Sequence, residues 1–169
     1  SGRTTQERTE SLLRNTFSET SRIAYASLLV STQDKASLRT LTKSNFTNDS
    51  LQLLVASNAE TILGYAIVDD ARGKDQPITY CVIVDEELVV KEIEILVYRE
   101  PYGGEVQNKS WLNQFFGKQP DDELRPGKGI KNITGATISS RSVTLGVKKI
   151  LTLLHIMKSK LPHTANQSR

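Results

Sequence analysis

Hydrophobic and polar positions divide this chain into stretches of different texture. From Thr5 to Phe17 (TQERTESLLRNTF) the run is polar, free of Gly and Pro, with charges on both sides of Leu12 and Leu13. That pattern predicts a helix. Ser21 to Val30 carries an apolar patch, Ile23, Ala24, Tyr25, Leu28 and Leu29, whose spacing permits either helix or strand. A polar connector rich in Ser, Thr, Asn and Lys follows from Ser31 to Ser50. The texture then turns to that of a sheet. Leu51–Ser57, Thr61–Asp70, Ile78–Asp85 and Leu88–Glu100 are β-rich runs separated by short breaks. Parallel crossovers need about a dozen residues or more, so these runs predict an antiparallel four-strand meander. In the last of them Val90, Glu92, Glu94 and Leu96 are expected on one face. Val89, Lys91, Ile93, Ile95 and Val97 fall mostly on the other, as in a half-buried strand.

The segment Arg99–Ile130 holds five of the ten glycines and three of the five prolines, so turns are expected to dominate its ends. A short helix is expected between them, at Ser110–Phe116. A loop-rich excursion of this length inside a compact domain is usually functional. The final helix is expected to begin near Ser139 or Ser140. Val143, Val147, Ile150, Leu151, Leu154 and Met157 then form an apolar stripe, and Pro162 marks its end. The expected class is α+β: an antiparallel meander packed with helices, with a loop-rich excursion before a C-terminal helix. Residues 1–50 read as an N-terminal helical and polar segment packing on the domain, 51–161 as the domain itself, and 162–169 as a polar tail.

Composition changes this picture little. A chain of 169 residues can bury a real core without staples, and 37% hydrophobic with 24% charged residues is ordinary for a globular protein. The net charge of +3 is too small to point to nucleic acid, and no such partner is expected. A single cysteine, Cys81, excludes an internal disulfide. No apolar run reaches the ~18 residues that span a bilayer. Ser1-Gly2 reads as a cloning remnant, which leaves room for an anchor upstream.

The chemistry concentrates in KNITGATISSRSVTLGVKKIL, Lys131 to Leu151. Small hydroxyl-bearing residues there run directly into a helix. A helix N-terminus offers unpaired N–H groups and a positive dipole end, which suit a phosphate. Ser139 or Ser140 can cap it. Gly135 and Ala136 keep the preceding turn open, and Thr137 would display a nucleophilic oxygen beside the anion site. The plainer reading of the same residues is a capped helix after a glycine turn.

Thr134-Gly135-Ala136-Thr137 resembles the flavinylation motif, [Ser/Thr]-Gly-Ala-Thr, of FMN-binding domains such as those in the sodium-translocating NADH:quinone oxidoreductase and in the Rnf complex. LGYAIVDDARGKDQPITYCVIVD is similar to the meander of that family. YREPYGGEVQNKSWLNQFFGK and LRPGKGIKNITGATISSRSVTLGVKKIL are similar to its later loop and closing segment. The likeness runs in matching order from about Leu63 to Leu151. It implies an electron-transfer domain, a carrier more than a stand-alone enzyme. Its FMN would be esterified to Thr137 by a separate flavin transferase that uses FAD and a divalent metal, and the flavin itself supplies the redox chemistry. It also implies an extracytoplasmic, membrane-associated setting with a redox partner such as a quinone-linked membrane complex or a multihaem cytochrome. The family pattern usually places Asp where Lys131 stands, and often another at Gly129. With that reversal of charge, non-covalent FMN with Lys128 or Lys131 near its phosphate is the alternative. A flavin-free interaction module and a basic phosphate-binding module are the remaining ones.

The same resemblance brings in Glu100, Pro101, Tyr102, Gly103 and Gly104, a turn at the exit of the last meander strand. Gly103 and Gly104 would let the flavin approach the main chain, Tyr102 would stack near it, and Glu100 would accept a hydrogen bond from it. Trp111 is a second stacking candidate, though a lone Trp among aromatics is more often core. Lys74 and Gln76 to Ile78 could present a lysine or main-chain groups to the flavin's pyrimidine edge.

Overall fold

The structure is a computed structural model and describes residues 3–165. Five antiparallel strands form one sheet in sequence order: β1 (Arg22–Leu29), β2 (Ser50–Asn58), β3 (Thr61–Ala71), β4 (Ile78–Asp85) and β5 (Val90–Val97). The expected meander is present and gains a fifth member, because the ambiguous patch before Val30 is β1, paired along its length with β2. The architecture is α+β.

Among the described residues four α-helices accompany the sheet: α1 (Thr5–Thr16), α2 (Thr32–Thr42), α3 (Lys109–Leu112) and α4 (Thr137–Ile156). α2 stands in what reads as a polar connector. Its start is fixed by a capping box, with the Ser31 side chain and the Asp34 amide 3.0 Å apart and the Asp34 carboxylate accepting from the Ser31 N–H. Leu38 is the one residue of this helix that is fully buried, so its apolar stripe is too thin to announce itself.

The two faces of the sheet bury different clusters. On one face α4 and α2 pack together. Val143, Val147, Ile150, Leu151, Leu154 and Met157 all go into the main core, as the stripe predicts. On the other face α1 lays Leu13 against Leu54, Ala56, Ala66, Cys81, Ile83 and Leu96. Phe17, at the end of α1, presses its ring onto the backbone at Gly64, where no Cβ would fit.

β5 departs from simple alternation. Its pairing with β4 shifts register between Ile83 and Val84 and again between Thr79 and Tyr80. Each bulge adds a residue and flips the faces beyond it. Val90 therefore joins Ile93 and Ile95 in the main core, away from the Glu92, Glu94 and Leu96 face expected for it. Glu92 and Glu94 instead bind the Lys109 ammonium, at 2.8 Å for Glu92, and tie α3 to the strand.

The excursion after β5 is built from a 3-10 turn at Gly104–Gln107, then α3, a second 3-10 turn at Asn113–Phe115, and two short strands, β6 (Arg125–Pro126) and β7 (Gly129–Ile130). The expected helix at Ser110–Phe116 is thus split into a single α-turn and a 3-10 turn. After α4 the chain does not leave at once. Leu161, Pro162 and Ala165 are buried, and the Pro162 carbonyl accepts from the Tyr65 hydroxyl at 2.7 Å. The last residues of the expected tail, 166–169, lie outside the described part, as do Ser1 and Gly2. No helix among the described residues is long and apolar enough to cross a membrane.

Candidate functional site

At the mouth of α4 the helix starts earlier than its serines suggest. Gly135 takes a left-handed φ of 84°, the Ala136 N–H closes a turn on Ile133 O at 3.0 Å, and the first helical bond runs from Ser140 N to Ala136 O at 2.9 Å. Ala136 is therefore the N-cap, and it has no side-chain acceptor. Ser139 and Ser140 do not cap the helix. They sit inside the first turn and are buried. Ser140 Oγ donates back to Thr137 O, while Ser139 Oγ shares a hydrogen bond of 2.8 Å with the Tyr98 hydroxyl. The N–H groups of Thr137, Ile138 and Ser139 precede the first helical bond and receive no side-chain cap. That leaves a positive helix end open to an anion.

Thr137 occupies the first helical position and is exposed. It lines a pocket of about 410 Å³ together with Gly135, Ala136, Ile138 and Ser139 from the helix mouth. Glu100, Pro101, Tyr102 and Gly103 from the turn after β5 complete a second wall, and Lys74 and Asp75 from the β3–β4 loop a third. Ala136 is buried beneath this surface. Tyr102 is 84% exposed and Ile138 53%, large apolar surface beside an alcohol. A hydroxyl, uncapped amides, a single lysine and flanking apolar groups fit the phosphate and the flat ring system of a flavin nucleotide.

Gly103 has φ 85°, and a Cβ there would lie 2.5 Å from the Tyr98 hydroxyl and 2.8 Å from Ser139 Oγ. The glycine lets the turn sit directly on the first turn of α4. Gly104 opens the 3-10 turn behind it and does not line the pocket. Glu100 is engaged already: its Oε1 accepts the Asp75 and Gln76 amides at 2.6 and 2.8 Å. Those amides, Gln76 first and then Asp75, hold its carboxyl below the usual range.

Several residues that the sequence offers stand elsewhere. Trp111 is 6% exposed in the main core, with its indole N–H on Lys131 O at 2.6 Å and its ring edge-on to Phe115. It is a core residue and no wall of this pocket. Lys128 sits in the β6–β7 turn and Lys131 after it. Both are exposed and neither lines the pocket. Thr134 is exposed in the turn before the helix and also stays outside the lining. Gly129, where an acid would be usual, has φ 83° and faces the Glu123 carbonyl so closely that no side chain fits. Asp75 and Ile138 are lining residues that sequence reasoning missed, as it did Tyr98, which braces Ser139 and Tyr102 from outside the lining. Ile138 carries a signal in hindsight, as an apolar residue on the exposed first turn.

Residues 73–152 match the family model of the FMN-binding domain. This segment belongs to that family. Every residue lining the pocket falls within the FMN-binding domain match, whereas α1, α2 and β1 to β3 precede it. The family assignment supports FMN as cofactor and a flavin-binding, electron-transfer role. No curated protein matches the chain.

Proposed function

We propose that this domain is an electron carrier whose FMN is joined to Thr137 through a phosphodiester. The observation that carries the reading is the placement of Thr137: an exposed alcohol at the first position of a 20-residue helix, on the pocket wall, with no side chain capping the amides beside it. A separate flavin transferase would supply FMN from FAD. The Thr137 oxygen forms the bond to phosphorus, the phosphoanhydride to AMP breaks, and the hydroxyl proton passes to a base of the transferase. The product phosphate keeps one negative charge, which the open helix end can hold. When bound, the flavin supplies one- and two-electron chemistry. The chain's own residues position it. The helix amides hold the phosphate, Tyr102 and Ile138 offer apolar surface to the ring, and Lys74 adds a cation.

We further propose an extracytoplasmic setting beside a membrane, with electrons exchanged with a quinone-linked complex or a multihaem cytochrome. The deciding experiment is the intact mass of the chain after co-expression with a flavin transferase. A gain of one FMN minus water, retained on denaturation, is the expected result. Yellow colour lost on denaturation would favour non-covalent FMN. An unchanged mass without any bound flavin would sink both forms.

A further inference from the structure

The β3–β4 loop, Arg72 to Pro77, reaches the pocket although no regular secondary structure holds it there. Two adjacent side chains at the end of β5 do so. Glu100 Oε1 accepts the N–H groups of Asp75 and Gln76 at 2.6 and 2.8 Å. Arg99 donates through Nη1 to Pro77 O at 2.6 Å and to Thr79 Oγ1 at 3.2 Å. At Gly73 the loop folds back so tightly that a Cβ would lie 2.8 Å from the same Glu100 oxygen and collide with the Gln76 carbonyl. Of the two loop residues in the pocket lining, Asp75 is itself fastened to Glu100 and Lys74 immediately precedes it.

We infer that Glu100 is a positioning residue: its carboxylate seats the β3–β4 loop as a wall of the cofactor pocket, and so controls how tightly FMN is retained there. The inference rests on the flavin reading of this pocket and gives Glu100 a role different from touching the flavin. Hydrogen bonds to a charged acceptor are roughly twice as strong as neutral ones. Both fastenings have an ionised partner, and the Glu100 pair is the one that holds the Asp75 and Gln76 amides at the loop's tip. A neutral acceptor of the same shape keeps the geometry and weakens the hold.

The test uses the full chain and two readouts. In flavin-free protein, amide hydrogen exchange at Asp75 and Gln76 is followed by NMR in the wild type, Glu100→Ala and Glu100→Gln. Separately, dissociation of added FMN is measured by recovery of flavin fluorescence, with Thr137→Ala in every background to exclude the covalent bond. Glu100→Ala is expected to speed exchange at both amides by about tenfold or more, to leave the amides of α4 unchanged, and to weaken FMN binding about fivefold. Glu100→Gln is expected to recover part of both losses. Unchanged exchange in Glu100→Ala overturns the latch. Faster exchange with unaltered FMN affinity overturns the loop's place in the pocket wall. If the Thr137→Ala chain binds no FMN and the wild type gains no flavin mass with a transferase, while Glu100→Ala still frees both amides, the flavin reading has failed and the loop latch stands.

Discussion

Tyr98, just beyond the end of β5, and Ser139, in the first turn of α4, share a hydrogen bond of 2.8 Å that fixes the helix mouth against the sheet. The same Tyr98 hydroxyl meets the Tyr102 carbonyl, so one phenol braces two of the pocket's three walls. Gly103 lies over this junction with no room for a side chain. Tyr98→Phe should therefore cost stability, about 1 kcal/mol for each hydrogen bond lost. Gly103→Ala should cost more, because a left-handed backbone penalises alanine by about 1–2 kcal/mol before any clash is counted. Urea unfolding of the flavin-free chain measures both. Combined, the two changes should cost less than their sum, since removing the phenol hydroxyl relieves part of the clash.

At Thr137 the prediction concerns chemistry and not stability. Thr137→Ser keeps a hydroxyl at the first helical position and should still gain flavin mass with the transferase. Thr137→Ala should gain none, yet unfold within about 0.5 kcal/mol of the wild type, as exposed substitutions usually do. A flavin-loaded Thr137→Ala chain in denaturing mass spectrometry would place the ester elsewhere.

Gly146 reverses a general rule. Alanine in a helix interior is ordinarily about 1 kcal/mol better than glycine. Here a Cβ would sit 2.5 Å from the Tyr80 hydroxyl, which is buried and anchored to Asp69 at 2.6 Å. Overpacking a core costs about 1–3 kcal/mol. Gly146→Ala should thus lower the thermal midpoint, and Tyr80→Phe in the same chain should recover part of the loss. A raised midpoint for the single change would show that α4 can shift away from β4.

Cys81 lies under α1, and burial pushes its thiol up to about 12. It should remain neutral and unmodified by a thiol reagent at pH 8 in the folded protein. Labelling should appear only on denaturation. Rapid labelling under native conditions would mean that α1 separates readily from the sheet.

The Glu100 latch carries a definite pH sense. Its carboxyl titrates below the ordinary glutamate value of about 4.3, so its bonds are fully present above that value. They are lost as pH falls through the lower folded pKa. After the Gln76 and Asp75 amides, the Lys74 ammonium is the charged neighbour that lowers this carboxyl further. The amide chemical shifts of Asp75 and Gln76 should move together on acidification, and should respond far less in Glu100→Gln.

The sheet was legible because β2 to β5 are long, apolar and separated by breaks too short for crossovers. β1 and α2 were harder for opposite reasons. The residues of β1 fit two periodicities, and only pairing with β2 decides between them. α2 buries little beyond Leu38, so the Ser31–Asp34 capping pair was its clearest mark. The alternation in β5 misled at Val90 because a bulge is invisible to a strict period of two. The structure brings Thr137, Tyr102 and Gly103, named from the motif and its accompanying turn, into one pocket lining. Trp111 was ambiguous, since an aromatic in a loop-rich segment suits a core or a ligand equally until its indole partner is known. Tyr98 could not be found from sequence, because its role depends on contacts 41 residues apart along the chain.

α4 sets a distance as well as a surface. Its 20 residues amount to roughly 30 Å of straight rod at 1.5 Å per residue. Any fluorophore, affinity handle or electrode linker attached just past Ile156 would therefore stand about that far from the Thr137 oxygen. Instrumenting the molecule from that end should leave the business end of the rod unobstructed.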